Sequence, residues 1–149
     1  MTIPQVKDPP TIRFEVEPPS ADQYASLFTT TGWNEIYWLS PQELHRAVCN
    51  SWYVLSAYHG ERLVGFGRLV SDQVVHAMVY ELIVQPGYQN QGIGGEILDR
   101  LVQQCQLHGI REIQLFCARG KRTFYEKRGI VARPDEAPGM QYLRRLEHE

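Results

Sequence analysis

Three glycines fall within four positions at residues 92–95 of this 149-residue chain, between a β-rich run and a helical run. The run VVHAMVYELIV (74–84) is typical of a strand, and a Pro-Gly pair then stops it. From Gly92 the apolar residues keep to one helical stripe as far as Gly109. A helix that begins here presents free backbone N–H groups and the positive end of its dipole. Bare backbone at this junction therefore predicts a site for the diphosphate of a cofactor.

The spacing of these glycines excludes two common phosphate-binding loops. A dinucleotide fingerprint G-x-G-x-x-G would begin at Gly92 and Gly94, but its third glycine falls on Ile97. A P-loop that reaches Gly92 needs a lysine and then Ser or Thr, where the chain has Ile and Gly. The pattern that fits is Q-x-x-G-x-G, which runs from Gln89 to Gly94 directly after the strand. A tight turn that only packs the helix on the strand is the alternative.

The remaining elements predict a mixed α/β domain with one sheet. TIRFEVE (11–17) alternates as a strand does, and Ser20 and Ser40-Pro41 are typical starts of two short helices. WYVLSAY and RLVGFGRLV predict a hairpin that turns at Gly60. After the long helix come a strand in REIQLFCA, a short helix in KRTFYEKRG and a last strand in GMQYLRRL (139–146). Residues 1–10 are proline-rich and predict a flexible tail before a single domain at 11–149.

Composition excludes several classes of function. The formal net charge of −2 and the lack of a basic stripe argue against nucleic-acid binding. No run approaches the roughly 18 apolar residues of a membrane span. The five histidines show no metal-ligand spacing, so we expect no metal. The three cysteines stand apart in apolar surroundings, which predicts reduced, buried thiols and a reducing compartment such as the cytoplasm, or an organelle stroma if a transit peptide has been removed.

The chain resembles the GNAT superfamily of acetyl-CoA-dependent N-acetyltransferases. Its Q-x-x-G-x-G loop is similar to the pyrophosphate-binding motif of that family, and RTFYEKRGI is similar to a later family phrase that carries a tyrosine, here Tyr125. GERLVGFGRL is similar to the family's second and third strands. The resemblance covers about residues 11 to 145. It implies a GNAT fold of mixed, α+β type: a central, mostly antiparallel sheet splayed between strands 4 and 5 and flanked by about four helices.

The resemblance also implies where acetyl-CoA, as co-substrate, would bind. The diphosphate would lie on the loop residues Gln89, Asn90, Gln91, Gly92, Ile93, Gly94 and Gly95. The pantetheine arm would pair with the backbone of the fourth strand at Leu82, Ile83 and Val84, and an amide near Val84 would polarise the thioester oxygen. An asparagine that many members carry before the tyrosine is missing from CARGKRTFY. Arg119, Lys121 and Arg122 would meet the phosphates instead, or form a solvated basic start of the helix.

Acetyl transfer to an amine needs a path for the amine proton and a hydrogen bond for the departing thiolate. Tyr125 matches the family's usual general acid, and the alternative is a core aromatic. For the base, Glu81 is the best candidate because it is a carboxylate inside the apolar run MVYELIV. We expect a water chain from the amine to Glu81 rather than direct proton transfer in one step. The alternative is a glutamate on the solvent side of the sheet. Weaker candidates are Asp72, His76 and Tyr80.

Aromatic residues of the first helices and the loop between them predict the acceptor side. They include Tyr24, Phe28, Trp33, Tyr37 and Trp38. Such a lining suits an arylalkylamine or a cationic amine, although ordinary core aromatics are the alternative. We therefore assign Trp33, Tyr37 and Tyr80 to the acceptor side.

Several phrases look closest to a plant and cyanobacterial branch that includes serotonin N-acetyltransferase-like enzymes. That branch has an acidic residue after an aromatic where Tyr80-Glu81 stand, and an arginine and an aspartate near Arg68 and Asp72. The acceptor is then a small amine or a protein lysine. The other class of function is a noncatalytic acetyl-CoA sensor or partner-binding module on the same scaffold, although Tyr125 and Glu81 together favour the enzyme. The resemblance also allows a homodimer, since GNAT domains often dimerise.

Overall fold

The computed structural model describes residues 11–143, in two compact units that meet in the sequence between Leu115 and Phe116. The predicted tail at 1–10 lies outside the described residues. The first unit contains a five-stranded sheet whose spatial order is the chain order. Its strands are β1 (Arg13–Glu15), β2 (Tyr53–His59), β3 (Arg62–Ser71), β4 (His76–Val84) and β5 (Glu112–Leu115). Neighbouring strands are antiparallel except β4 and β5, which are parallel, so the mixed and mostly antiparallel sheet is confirmed.

Four helices of the first unit accompany the sheet: α1 (Ala21–Thr29), α2 (Asn34–Tyr37), α3 (Pro41–Cys49) and α4 (Ile93–Leu107). The predicted starts of α1 and α3 are confirmed. The Ser20 hydroxyl accepts a hydrogen bond from the Gln23 amide at 3.2 Å. Ser40 forms a capping box with Glu43, and Pro41 occupies the first turn. These caps satisfy amides that a helix leaves without internal partners.

The two faces of the sheet are covered by different helices. Phe66 of β3 and Ile83 of β4 belong to a buried cluster with Tyr24 and Phe28 of α1 and Val48 of α3. Successive strand residues point to opposite faces, so Gly65 and Gly67 face the other way, toward α4. A Cβ at Gly67 would lie 2.8 Å from Ile97 Cγ2 and 3.0 Å from Leu101 Cδ1, which is too close. Glycine in β3 therefore permits the close approach of α4 to the sheet.

The second unit, described from residue 116 to 143, contains the short helix α5 (Arg122–Glu126). The predicted last strand is wrong over residues 139–143, which are irregular, and its residues 144–146 lie outside the described part of the chain. Met140, Tyr142 and Leu143 are 86%, 91% and 90% exposed. A strand needs a neighbour that pairs its backbone and covers one face, and these residues have neither within 11–143.

The prediction that all three cysteines are buried is also wrong. Cys105 is buried, whereas Cys49 and Cys117 are exposed, and all three are free thiols. The buried stripe of α3 passes through Leu44 and Val48, so Cys49 lies one position off the stripe. Cys117 lies beyond β5, where its thiol is 3.2 Å from the Ala118 carbonyl. An apolar neighbourhood in sequence does not place a side chain on the buried face.

Candidate active site

The ladder between β4 and β5 stops part of the way along β4. The parallel register pairs His76 with Glu112 and ends with Val79 opposite Leu115. From there β4 runs on to Val84, while its other edge stays paired with β3. Where a strand extends beyond its neighbour, its unpaired backbone N–H and C=O groups can form hydrogen bonds with an added strand. Leu82, Ile83 and Val84, predicted to bind the pantetheine arm, lie in this segment.

A β-bulge in β4 brings two consecutive side chains to one face of the sheet. Arg68 pairs with Tyr80 and Phe66 with Ile83, so β4 has one residue more than β3 between these pairs. Glu81 absorbs the extra residue with a φ of 47°, in the left-handed region that costs a non-glycine residue about 1–2 kcal/mol. Strand parity predicts that Glu81 shares a face with Ile83, and it does not predict that Tyr80 joins them. The bulge places both on the side of Arg68.

Arg68 and Glu81 form an ion pair in which both carboxylate oxygens accept hydrogen bonds. Arg68 Nε donates to Glu81 Oε2, and Arg68 Nη2 donates to Oε1 at 3.3 Å. The other guanidinium nitrogen, Nη1, donates to the Ala47 carbonyl at 3.3 Å and the Ser51 hydroxyl at 3.2 Å. The two side chains are 13% and 20% exposed, so the pair is mostly withdrawn from water. The Glu81 side chain therefore points toward Arg68 and not toward solvent.

Two tyrosines complete this polar cluster. The Arg68 guanidinium carbon lies 5.4 Å from the centre of the Tyr80 ring. Tyr24 of α1 is buried, and burial is the main reason that its pKa is raised well above the ordinary value for tyrosine. The Glu81 charge raises that pKa further, and the Arg68 charge lowers it. We call Tyr24, Arg68, Tyr80 and Glu81 the bulge cluster.

The glycine loop, residues 85–95, ends at the start of α4. Gly92 is the N-cap, with φ 86°, and no side chain caps the helix. A Cβ at Gly92 would meet nothing within 4 Å, so its backbone angle, and not crowding, requires glycine. The first turn closes when the Glu96 amide donates to the Gly92 carbonyl at 3.0 Å. The amides of Ile93, Gly94 and Gly95 therefore have no carbonyl partner inside the helix, and this fits an anionic group such as a diphosphate.

Side chains of the glycine loop hold its own backbone. Gln89 Nε2 donates to the Val84 carbonyl at 3.1 Å, and Gln91 Nε2 lies 3.4 Å from the Gly87 carbonyl. Asn90 has φ 63°, a conformation that asparagine tolerates better than most residues. Sequence reasoning assigned these three residues to the cofactor. In the structure, the two glutamine side chains shape the loop.

A cluster at the other end of β3 contacts the glycine loop. His59 Nδ1 and the Tyr88 hydroxyl are 2.6 Å apart, and the Arg62 guanidinium lies 5.7 Å from the centre of the Tyr88 ring. These contacts join the β2–β3 turn to the loop, and no motif in the sequence pointed to them. A nearby cleft of about 360 Å³ is lined by Asp22, Gln23, Ser26, Leu27, Arg62, Leu63 and Gln85.

Of the weaker candidates for a base, Tyr80 belongs to the bulge cluster, whereas Asp72 and His76 lie at the turn before β4. Asp72 lies in the turn between β3 and β4, where its carboxylate accepts hydrogen bonds from the amides of Val74, Val75 and His76 at 2.7–3.1 Å. These bonds lower the Asp72 pKa, so this carboxylate serves the turn. His76 begins β4 and is exposed.

The acceptor-side aromatics differ from one another in burial. Trp33 is partly buried and packs edge-on against Phe28, with ring centres 5.9 Å apart. The Tyr37 ring stacks on that of Phe28, with ring centres 6.4 Å apart, and Tyr37 is 51% exposed. Trp33 therefore contributes to the core, whereas Tyr37 presents an open surface.

In the second unit, Tyr125 is buried on α5, and its ring lies 5.1 Å from that of Phe124. Burial, with a smaller contribution from Cys117, raises the Tyr125 pKa above 10. Arg119 and Arg122 are exposed, and Arg122 forms an ion pair with Glu126 one turn later. A phenol that keeps its proton to high pH is suited to donate a hydrogen bond.

Residues 11–143 carry the features of neither a metal centre nor a membrane-spanning helix. No group of three or more His, Cys, Asp and Glu side chains in this range could hold a metal ion. None of the helices described there is both long enough and apolar enough to cross a membrane.

Comparison with curated proteins gives relatives of moderate similarity. A GCN5-related N-acetyltransferase 1, chloroplastic, from Arabidopsis thaliana is 33% identical over 88 residues, which are 59% of this chain and 45% of that protein. A histone acetyltransferase TAP1 from Glycine max is 32% identical over 109 residues, 66% of this chain and 47% of that protein. An uncharacterized N-acetyltransferase ycf52 from Pyropia yezoensis is 34% identical over 79 residues, 53% and 45% of the two chains. The chain thus spans about half the length of these relatives.

Solved structures share the fold at low sequence identity. A probable acetyltransferase of unknown function from meticillin-resistant Staphylococcus aureus superposes with a TM-score of 0.76 at 18% identity, covering 90% of this chain and 100% of that one. A GNAT family acetyltransferase from Streptococcus pneumoniae gives 0.73 at 24%, covering 91% and 100%. The model of the acetyltransferase (GNAT) family matches residues 16–130, well over half of the chain. This chain belongs to the acetyltransferase (GNAT) family.

Proposed function

We propose that this protein is an acetyl-CoA-dependent N-acetyltransferase that acetylates a primary amine by direct attack in a ternary complex. The observation that carries the proposal is that β4 extends past the end of β5 and is followed, after the glycine loop, by a helix whose start no side chain caps. A strand edge suits the amides of a pantetheine arm, and the amides of Ile93, Gly94 and Gly95 suit a diphosphate. Acetyl-CoA, when bound, supplies the activated acetyl group as a thioester.

The bulge cluster supplies the acceptor side. Glu81 is the base, directly or through water, and receives the proton that the amine must lose before or during attack. Its position in a partly buried ion pair keeps the carboxylate in place while the acceptor enters. The Tyr80 ring, beside Arg68, offers a flat apolar surface to the acceptor.

Tyr125 supplies the last proton or hydrogen bond. When the C–S bond of the thioester breaks, the sulfur takes the electron pair and needs a proton donor. A tyrosine phenol is protonated at physiological pH, and burial raises the pKa of Tyr125 further. Since a thiol has a pKa of about 8.5, Tyr125 stabilises the sulfur mainly by donating a hydrogen bond. The products are then the N-acetylated amine and the free thiol of CoA, so the reaction is balanced without a further reactant.

A small aryl or alkyl amine is our favoured acceptor, and a protein lysine is the other one. The exposed ring of Tyr37 and the ring of Tyr80 suit an aromatic amine. A relative is named a histone acetyltransferase, which supports lysine. One of the curated relatives is named chloroplastic, so we propose a reducing compartment, the cytoplasm or a plastid stroma.

The test is release of the CoA thiol from acetyl-CoA by purified protein with tryptamine, serotonin, a polyamine or a lysine peptide. Tyr125→Phe should lower kcat by about 10²-fold, because it removes the proton donor alone. Tyr142→Phe, at a tyrosine that is 91% exposed in the same unit, is the matched control. Acetyl-CoA binding, measured by calorimetry, should not change in either variant.

Tyr125-dependent thiol release with one class of amine would establish the enzyme and its acceptor class. Binding of acetyl-CoA with no release in the presence of any amine would favour a noncatalytic sensor. A lack of binding would contradict the role we give the glycine loop.

A further inference from the structure

Arg68 has a role that neither the family motif nor its position in β3 assigns. We propose that Arg68 is the positioning residue for Glu81, which it holds in the bulge and connects to helix α3. The proposal rests on the proposed function, because it concerns the base of the same reaction.

The hydrogen bonds of Arg68 leave it little capacity for anything else. A guanidinium has five N–H donors. Four hydrogen bonds leave Arg68: two to the Glu81 carboxylate, one to the Ala47 carbonyl and one to the Ser51 hydroxyl. A free arginine at an acceptor site would recognise a carboxylate or phosphate of the substrate. This one is committed to the protein, so its effect on the reaction passes through Glu81.

The backbone of Glu81 explains why such support is needed. A glutamate with φ 47° is strained, and strained positions persist when their surroundings fix them. The two-point contact fixes both the distance and the plane of the carboxylate, which a single point charge does not do. The Ala47 and Ser51 contacts connect the pair to the end of α3 and the residues after it. The carboxylate is therefore positioned relative to the helices on the acceptor side.

A double-mutant cycle separates this role from general support of the fold. It compares the activity of the unmodified protein, Arg68→Ala, Glu81→Gln and the double variant. We expect Arg68→Ala to lower kcat by about 10- to 100-fold, and to leave the KM and Kd for acetyl-CoA within about twofold. The double variant should be no slower than Glu81→Gln, since both changes remove one function. Arg68→Lys should recover part of kcat, and added guanidinium ion should raise kcat of Arg68→Ala but not of the double variant.

The matched control is Arg13→Ala, because Arg13 also pairs with a glutamate, Glu15 at 2.7 Å, and lies over a tyrosine ring, Tyr58 at 4.9 Å. It is on β1 and is 48% exposed, so kcat should not change. If Arg68→Ala does not fold, Ser51→Ala serves instead. It removes one hydrogen bond from Arg68 and should lower kcat severalfold with acetyl-CoA binding unchanged.

Urea unfolding of the same four proteins gives a readout besides activity. Coupling of Arg68→Ala and Glu81→Gln in the unfolding midpoints, with coupling in kcat, supports the proposal. Coupling in stability alone, or an unchanged kcat in Arg68→Ala, overturns it and leaves the proposed function standing. A chain that acetylates no amine in any form overturns the proposed function and this role together.

Discussion

The glycine loop follows strand β4 and the bulge cluster includes residues of β4, but the two differ in the groups that form the site. In the loop, backbone amides at the start of α4 form the site, and side chains only hold the backbone in place. In the bulge cluster the backbone is strained, and side chains from β3, β4 and α1 form the site. A backbone site requires residues without side chains at fixed spacing, whereas a side-chain site requires a three-dimensional arrangement. The two should therefore respond differently to substitution.

The largest effect should come from Glu81→Gln. The amide keeps the size of the carboxylate but cannot take the amine proton, so we expect kcat/KM for the acceptor to fall by about 10²-fold or more. The Kd for acetyl-CoA should stay within about twofold, because the loop is untouched. Steady-state kinetics and calorimetry measure the two quantities.

Glu15→Gln is the control for Glu81→Gln, since Glu15 is also paired with an arginine in the same sheet. If Glu81→Gln lowered acetyl-CoA affinity and turnover by the same factor, the bulge cluster and the glycine loop would not have separate roles.

Gly92→Ala should produce the opposite pattern. A side chain makes φ 86° unfavourable by about 1–2 kcal/mol, and the loop relieves the strain by moving the amides of α4 away from the anion-binding arrangement. We expect acetyl-CoA to bind about tenfold more weakly, with kcat at saturating acetyl-CoA nearly unchanged.

Gly109→Ala matches this change at the other end of α4. Gly109 has φ 68°, and its Cβ would also meet nothing within 4 Å. Both variants should lose similar stability, and only Gly92→Ala should lose affinity. Equal affinity in the two variants would mean that the start of α4 does not bind the diphosphate.

The sequence predicts the glycine loop better than the bulge cluster, because the loop is formed by residues close together in the chain. The loop is local: Gln89, Gly92 and Gly94 lie within six residues, and their spacing alone excluded the alternatives. The caps at Ser20 and Ser40 and the hairpin at Gly60 are also local signals, and the structure confirms them.

Non-local features were missed for a physical reason. The extra residue of the bulge is defined only by the register of β4 against β3, which sequence parity cannot supply. The Arg68–Glu81 pair joins residues 13 positions apart, and the contacts of Arg68 with Ala47 and Ser51 join strand to helix. The predicted strand at 139–146 failed in its described part because propensity does not create a partner strand.

The pH dependence of stability tests whether the bulge cluster is buried, because Tyr24 belongs to it. Burial, then Glu81, raises the Tyr24 pKa, so the folded protein keeps this phenol protonated above pH 10, where the unfolded chain releases the proton. The free energy of unfolding should therefore fall as the pH rises past 10, by up to about 1.4 kcal/mol per pH unit from this residue.

Tyr24→Phe keeps the ring that lies 4.7 Å from Phe66 and removes the proton. Urea midpoints across the alkaline range should fall less steeply in this variant than in the unmodified protein. The same slope in both proteins would mean that Tyr24 is not withdrawn from water in solution.

The smallest effect should come from Tyr88→Phe, which tests whether the glycine loop also depends on a side-chain contact. The change removes the hydroxyl 2.6 Å from His59 Nδ1 but keeps the ring beside Arg62. A hydrogen bond of this kind is worth about 0.5–1.5 kcal/mol, so acetyl-CoA should bind about two- to tenfold more weakly, with kcat unchanged. Calorimetry against Tyr142→Phe gives the comparison. An unchanged Kd would show that the backbone alone fixes the loop, whereas a loss equal to that of Gly92→Ala would mean that this side-chain contact is as important as the glycine.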